Sequence, residues 1–237
     1  MTLEKFIEAI NLPKLVVEKA EAFLTALLGE AVKESGGLIG DKVRYQRFKN
    51  QVLILRKSQT LLEEAGLQPR PIPMKTLVPL VESCSLEDDP DIQEMWARLL
   101  ADAASSDSNA FLHAIGVQLL SSISVDDAKL LQLIYTEFLD EQPKMLAKFK
   151  EWGIESSTVY PDSITFRPRN LFSKLGFDVA RGDLLLDNLL RLNLVKYELP
   201  EIKDNELWGS DQIHLTTLGR RLLEVCSSHP AKHKRHS

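Results

Sequence analysis

Apolar residues recur every three or four positions through most of the first 153 residues, which is the spacing of one face of an α-helix. The pattern predicts helices at residues 2–10, 13–34, 38–65, 77–84, 90–104, 109–121 and 124–139, and a shorter one that begins at Pro143. Glycines at positions 36 and 37 and prolines at 69, 71 and 73 separate some of them, because glycine often ends a helix and proline cannot continue one. Residues 1–153 are therefore predicted to form a helical domain.

The last third of the chain mixes helical and strand-like segments. Two helices (170–175 and 179–193) precede a strand (194–199), a polar loop (200–210), a second strand (212–215) and a final helix that Thr216 can cap. This is the element order of a winged helix-turn-helix. The fold is thus predicted to be mainly α, with the helical domain followed by a winged-helix-like domain at residues 162–228 that has a small β-hairpin wing. Residues 229–237 are predicted to be a basic disordered tail.

The charges of the winged-helix-like domain argue against DNA binding. Its second helix carries three aspartates against two arginines: Asp178, Asp183, Asp187, Arg181 and Arg191. The whole chain has a net charge of −5. Because phosphate contacts supply much of the affinity of DNA-binding proteins, nucleic-acid binding is not expected. A DNA-binding regulator is kept as an alternative function.

An acidic turn, residues 85–91, separates two amphipathic segments near the middle of the chain. Asp89 is a good N-cap, Pro90 suits the first helical position, and Asp91 lies where the helix dipole favours negative charge. These roles give the turn a structural explanation. The functional interpretation is that the turn is a surface that binds a protein partner. The candidate interaction surface consists of Glu87, Asp88, Asp89, Asp91, Trp96 and Arg98.

No catalytic motif stands out in the sequence. It contains no glycine-rich phosphate loop, no nucleophile elbow and no paired-histidine zinc helix. The acidic turn lacks the central glycine and distal glutamate of a calcium loop. We therefore expect no catalytic residue, no metal and no cofactor, and an enzymatic activity is left open. Cys84 and Cys226 are predicted to be small core residues in a reducing compartment.

The N-terminal helices offer a second alternative, a membrane-acting effector that uses residues 13–55. Glycines at 29, 36, 37 and 40 and a basic stretch at 42–57 surround an amphipathic pattern. Neither a secretory signal nor an apolar stretch long enough to span a bilayer is visible. A cytoplasmic location is therefore expected.

The stretch around the acidic turn resembles the Abi-alpha family, the abortive infection alpha proteins of bacteria. The residues that carry the resemblance are Ile72, Pro73, Lys75, 77–80, Glu82, 85–89, Gln93, Trp96, Ala97, 99–101 and Ala103. Segments 40–44 and 48–50 upstream and Phe111, Ile115, Leu119 and 124–131 downstream extend it. The likeness covers roughly residues 25–215.

The resemblance implies a bacterial cytoplasmic protein associated with defence against phage, and it supplies no reaction and no catalytic residues. We therefore expect a protein that acts through contact with a protein partner from the host or the phage. A homodimer formed by the long amphipathic N-terminal helices is a further expectation. The molecular activity, the trigger and the choice between sensor and effector stay open.

Overall fold

Helices account for most of the part of the chain that the structure, a computed structural model, describes: residues 13–28, 42–105, 110–154, 159–198, 201–203, 206–208 and 211–227. The chain divides into two compact units, residues 1–122 and 123–237. The predicted helix at 2–10, the glycines at 29, 36, 37 and 40 and the predicted tail at 229–237 lie outside the described residues. The mainly α character of the fold is confirmed.

The first unit contains five described helices. They are α1 (Lys14–Leu28), α2 (Lys42–Glu64), α3 (Met74–Cys84), α4 (Pro90–Ser105) and α5 (Ala110–Leu120). Helix α4 lies at the centre and packs against α2, α3 and α5, while α1 packs against α2 and α3. Its apolar stripe is buried together with the apolar residues of α1 and α2, among them Ala20, Phe23, Val52, Leu55, Ile92, Met95, Leu99 and Leu100. Within the segment on which the membrane alternative depends, Ala20, Phe23, Val52 and Leu55 are thus part of this core, whereas Leu15 is 61% exposed.

The second unit begins with α6 (Val125–Glu151), whose first turn is a capping box. The Ser124 hydroxyl accepts a hydrogen bond from the Asp127 amide at 3.2 Å, and the Asp127 carboxylate accepts one from the Ser124 amide at 2.8 Å. Residues Ser124 and Asp127 thus form a capping box with aspartate in place of the usual glutamate. Leu130, Ile134 and Phe138 then bury the inner face of the helix.

Helix α6 was predicted to end at Leu139. It instead continues through Pro143 to Glu151. Proline removes one backbone donor and crowds the carbonyl four residues before it. A helix can nevertheless continue through proline, as α3 does at Pro79. The prediction of a separate helix beginning at Pro143 was therefore wrong, because it treated a locally unfavourable residue as a helix boundary.

The remaining helices of the second unit are α7 (Pro168–Leu175), α8 (Val179–Arg191) and α9 (Thr217–Cys226). All three pack against α6. Gly176 ends α7 with a φ of 68°, a left-handed conformation that suits glycine. A Cβ atom at Gly182 would clash with the Phe172 ring, so the glycine allows α8 to approach α7 closely. The Asp178 side chain caps α8 by accepting the Arg181 amide at 2.9 Å.

Two short antiparallel strand pairs complete the second unit. Strand β1 (Val195–Tyr197) pairs with β4 (Ile213–Leu215), with Lys196 opposite His214, and Phe166 forms a bridge to Ile213. Strands β2 (Glu201–Lys203) and β3 (Glu206–Trp208) form a separate hairpin between them. This hairpin lies in the segment predicted to be a polar loop. Thr216 caps α9 by accepting the Gly219 amide at 2.9 Å, as predicted.

The two compact units meet in sequence at residues 122 and 123, whereas the sequence analysis placed its domain boundary within residues 153–162. The difference arises from α6, which packs against α7, α8 and α9. The predicted domains at 1–153 and 162–228 remain predictions about independent folding. Both cysteines, Cys84 and Cys226, are buried in the helices where they were predicted to be core residues.

Candidate functional site

The acidic turn before α4 holds two of its carboxylates in hydrogen bonds to its own backbone. Asp89 Oδ1 accepts the amides of Asp91 at 2.9 Å and Ile92 at 3.1 Å, so it caps α4. Glu87 Oε1 accepts the Asp89 amide at 2.9 Å. Partial burial raises the pKa of the Glu87 carboxyl, and the charges of Asp89 and Asp88 act in the same direction against its backbone hydrogen bonds. Glu87 and Asp89 therefore shape the turn.

The outward-facing part of the turn consists of the remaining carboxylates and a leucine. Asp88 and Asp91 are exposed. Leu86 is 68% exposed, although leucine side chains favour the interior. An acidic and apolar surface is thus present at this turn, and it is made by Leu86, Asp88 and Asp91.

Trp96 and Arg98 do not extend this surface in the way the sequence analysis expected. The Trp96 side chain is 1% exposed and lies in the core of the first unit. It shares the helical stripe of Ile92 and Leu99, which faces inward along the whole of α4. Arg98 is half-buried and forms an ion pair at 2.8 Å with Glu94, which lies one turn earlier in the helix. Trp96 is therefore removed from the candidate surface.

Buried polar residues fix the turn to the helices behind it. Asn50 on α2 donates to the Ser85 carbonyl at 3.1 Å, and Arg47 donates to the Ser85 hydroxyl at 2.9 Å. Gln93 on α4 donates to the Glu87 carbonyl at 2.9 Å. Asn50 and Gln93 entered the sequence analysis only as carriers of the family resemblance, and their role in holding the turn was not predicted; its signal is a polar residue at a buried position of an amphipathic helix. Part of the basic stretch at 42–57 thus positions the turn.

A second exposed surface combines acidic and apolar side chains on α8 and β1. We call it the acidic face of α8, and it consists of Asp183, Leu184, Asp187 and Tyr197. Leu184 is 71% exposed and Tyr197 is 49% exposed, and both aspartates are exposed. Partial burial raises the pKa of the Tyr197 hydroxyl, and the charges of Asp187 and Asp183 raise it further. The two carboxylates therefore act on the same hydroxyl group, and α8, which also carries Leu184, packs against β1.

The side chain of Arg181, near the start of α8, contacts residues of α6 and of the loop before α8. The Arg181 guanidinium forms an ion pair with Asp126 at the start of α6 and lies 4.8 Å from the centre of the Phe177 ring. Asn188 donates to the Asp127 carboxylate at 3.0 Å. These contacts hold α8 against the first turn of α6. They also leave aspartates and apolar groups on the acidic face of α8.

The last turns of α6 form a third surface, which the sequence analysis did not identify. All the buried residues of α6 precede Asp140. The later turns carry apolar and basic residues, which we call the basic end of α6: Lys144, Met145, Lys148, Phe149, Lys150 and Trp152. The same turns also contain Glu141, which forms an ion pair with Lys144 at 2.6 Å, and the exposed Glu151. Trp152 is 64% exposed, and its ring centre lies 6.3 Å from that of Phe149. The three lysines are exposed as well.

Both histidines in the part of the chain that the structure describes lie close to carboxylates. His113 is buried and lies 2.8 Å from the Asp102 carboxylate, and His214 lies 3.2 Å from the Glu198 carboxylate. Among the described residues, no group of three or more His, Cys, Asp or Glu side chains could hold a metal ion. Within the same residues, every helix is too short or too polar to cross a membrane.

One family model matches most of the chain. It is described as abortive infection alpha and covers residues 41–226. No curated protein and no solved structure matches the chain. The matched residues span the greater part of both compact units, so the likeness extends well beyond the acidic turn.

Proposed function

Because the chain belongs to the abortive infection alpha family, we propose that it acts in abortive infection by binding a protein partner in the bacterial cytoplasm. The observation that carries the proposal is the acidic face of α8, where exposed Leu184 and Tyr197 lie among carboxylates. Exposed apolar side chains within a charged rim are typical of surfaces that bind proteins.

The second unit is a winged-helix-like module in this proposal. Helices α7 and α8, the paired strands β1 and β4, the hairpin between them and α9 follow the element order of that fold. In winged helices that bind DNA, the second helix of the motif reads the major groove. Helix α8 occupies that place in the order, so its outer face is the natural binding surface of the module.

The charge of this outer face favours a protein over DNA. Asp183 and Asp187 are exposed beside Tyr197, and Arg181 is paired with Asp126. A helix that enters a groove of DNA needs lysines and arginines for the phosphates. Carboxylates at the same place repel phosphates and attract a partner with basic residues.

The test compares the two exposed leucines that mark the candidate surfaces. Leu184→Ala removes the apolar centre of the acidic face of α8, and Leu86→Ala removes the same group from the acidic turn. The two side chains are 71% and 68% exposed, so each variant should fold like the wild type. Phage plating efficiency and survival of infected cells are measured for bacteria that express each variant at equal levels.

We expect Leu184→Ala to lose protection and Leu86→Ala to retain it. Loss of phage protection in Leu86→Ala alone would instead indicate that the acidic turn is the binding surface. Asp88→Lys would then test the charge of that turn without disturbing the cap at Asp89. Retention by both variants would contradict the proposal. Binding of DNA in a gel-shift assay at low salt, abolished by Leu184→Ala, would favour the DNA-binding alternative instead.

A further inference from the structure

We propose that the acidic face of α8 binds the basic end of α6 of a second copy of this chain. The inference rests on the proposed function, because it names the partner of the same surface. Both surfaces belong to the second unit, residues 123–237. Each one carries apolar side chains that the fold leaves exposed, and the two carry opposite charges.

The basic end of α6 has the composition of a helix that binds another protein. Trp152 is 64% exposed and Phe149 is partly exposed, with the rings 6.3 Å apart. Lys148 and Lys150 lie in the same last turn and are exposed. Aromatic side chains that bury their surface on association contribute much of the binding free energy of protein interfaces. The lysines set the charge of the surface that the helix end can approach.

The acidic face of α8 matches this helix end in charge and in apolar content. Asp183 and Asp187 provide negative charges, and Leu184 and Tyr197 provide exposed apolar area beside them. Opposite charges around an apolar centre attract the correct surfaces and disfavour like-charged ones. Two basic ends would repel each other, and so would two acidic faces, so the contact is between unlike surfaces.

Each surface is exposed within a single copy, so a second copy can offer its counterpart. Every copy carries one surface of each kind, so the contact is heterologous. Head-to-tail contacts of this type form rings when the rotation closes and open chains when it does not. Association is therefore expected to rise with protein concentration and to weaken with salt, which screens the charges.

The experiment measures the association of the full chain by sedimentation velocity over a range of protein concentrations, in low and in high salt. The basic-end variant is Lys148→Glu with Lys150→Glu, and the acidic-face variant is Asp183→Lys with Asp187→Lys. The control is Lys19→Glu with Lys75→Glu, which changes the net charge as the basic-end variant does, at exposed lysines of the first unit. Thermal unfolding followed by circular dichroism establishes that each variant is folded.

We expect the wild type and the control to associate, and each charge-reversed variant to associate about tenfold more weakly or worse. Mixing the basic-end and acidic-face variants restores association, because each then presents a surface complementary to the other. A simple loss of folding cannot produce this restoration. A wild type that stays monomeric, or a mixture that fails to associate, would overturn the inference.

Phage plating separates this inference from the proposed function. The proposed function stands and the inference fails if the acidic-face variant loses protection while the basic-end variant keeps it. Both fail if neither variant loses protection. A co-sedimentation assay with vesicles of phosphatidylglycerol and phosphatidylcholine tests whether the basic end of α6 binds lipid instead. Sedimentation of a monomeric wild type with these vesicles, but not of the basic-end variant, would overturn the inference in favour of a lipid surface.

Discussion

At the scale of single residues, the Glu87 carboxyl combines a structural role with a shifted pKa. It accepts the Asp89 amide at 2.9 Å in a turn that also holds three further carboxylates. Partial burial, followed by the charges of Asp89 and Asp88, makes ionisation of Glu87 less favourable in the folded protein than in the unfolded chain. The stability that protonated Glu87 contributes is therefore present in acid and is lost as pH rises through its raised pKa.

We predict that Glu87→Gln makes the protein more stable at neutral pH and leaves the stability unchanged in acid. Glutamine keeps an oxygen that can accept the Asp89 amide but carries no charge. The gain is roughly a few tenths of a kcal/mol, because the carboxyl group is only partly buried and water screens its charge. Urea unfolding at a series of pH values measures it. The control is Asp88→Asn, and a gain that does not grow as pH rises above the ordinary glutamate pKa would contradict the prediction.

Helix caps and side-chain burial differ in how well they can be predicted from sequence. The caps at Asp89, Ser124 and Thr216 were predictable, because capping depends on a few neighbouring residues. The burial of Trp96 contradicts its place in the candidate surface. The residues next to Trp96 in the sequence do not show which helices cover its side chain, because packing brings together residues that are far apart in the chain.

At the scale of elements, the continuity of α6 through Pro143 creates the basic end of α6. The lysines and aromatic residues after this proline extend beyond the last buried residue of the helix, Phe138. A local reading ends the helix before the proline, because proline is unfavourable in a helix interior. The exposed face of this extension is a feature of the assembled helix, so it could not be predicted from the proline alone.

We predict that Pro143→Ala strengthens the later turns of α6. In a continuous helix, alanine restores the missing backbone hydrogen bond and removes the steric conflict, which favours the helix locally by about 1 to 3 kcal/mol. Amide hydrogen exchange of residues 147–151 should then slow. Proline at the first position of a separate helix would be favourable instead. Unchanged or faster exchange in the variant would therefore contradict the continuous helix.

At the scale of the whole molecule, α6 determines where the second unit begins. Its buried residues Leu130, Ile134 and Phe138 face the helices that follow. The sequence analysis correctly predicted the mainly α fold and the family, because helical spacing and a distinctive motif are both visible in sequence. The polar segment at 153–162 predicts a domain boundary because loops often separate domains, whereas the division into compact units lies at residues 122 and 123. Composition alone does not show which elements a helix packs against.

We predict that residues 123–228 fold when expressed alone and that residues 154–228 do not. The shorter fragment lacks α6, so the inner faces of α7, α8 and α9 would be exposed to water. Cooperative thermal unfolding by circular dichroism is expected for the longer fragment only. A cooperative transition in the shorter fragment would support the boundary within residues 153–162 instead.

The two buried cysteines are distributed with one in each unit. Cys84 is 2% exposed and Cys226 is 1% exposed, and burial raises the pKa of the Cys84 thiol to about 12. Alkylating reagents react with accessible thiolates, so neither side chain is modified until its own unit opens. Brief alkylation during heating, followed by peptide mass spectrometry, would therefore record the opening of each half of the molecule separately. The native chain thus carries its own pair of chemical reporters, and no introduced label is needed to learn which half opens first.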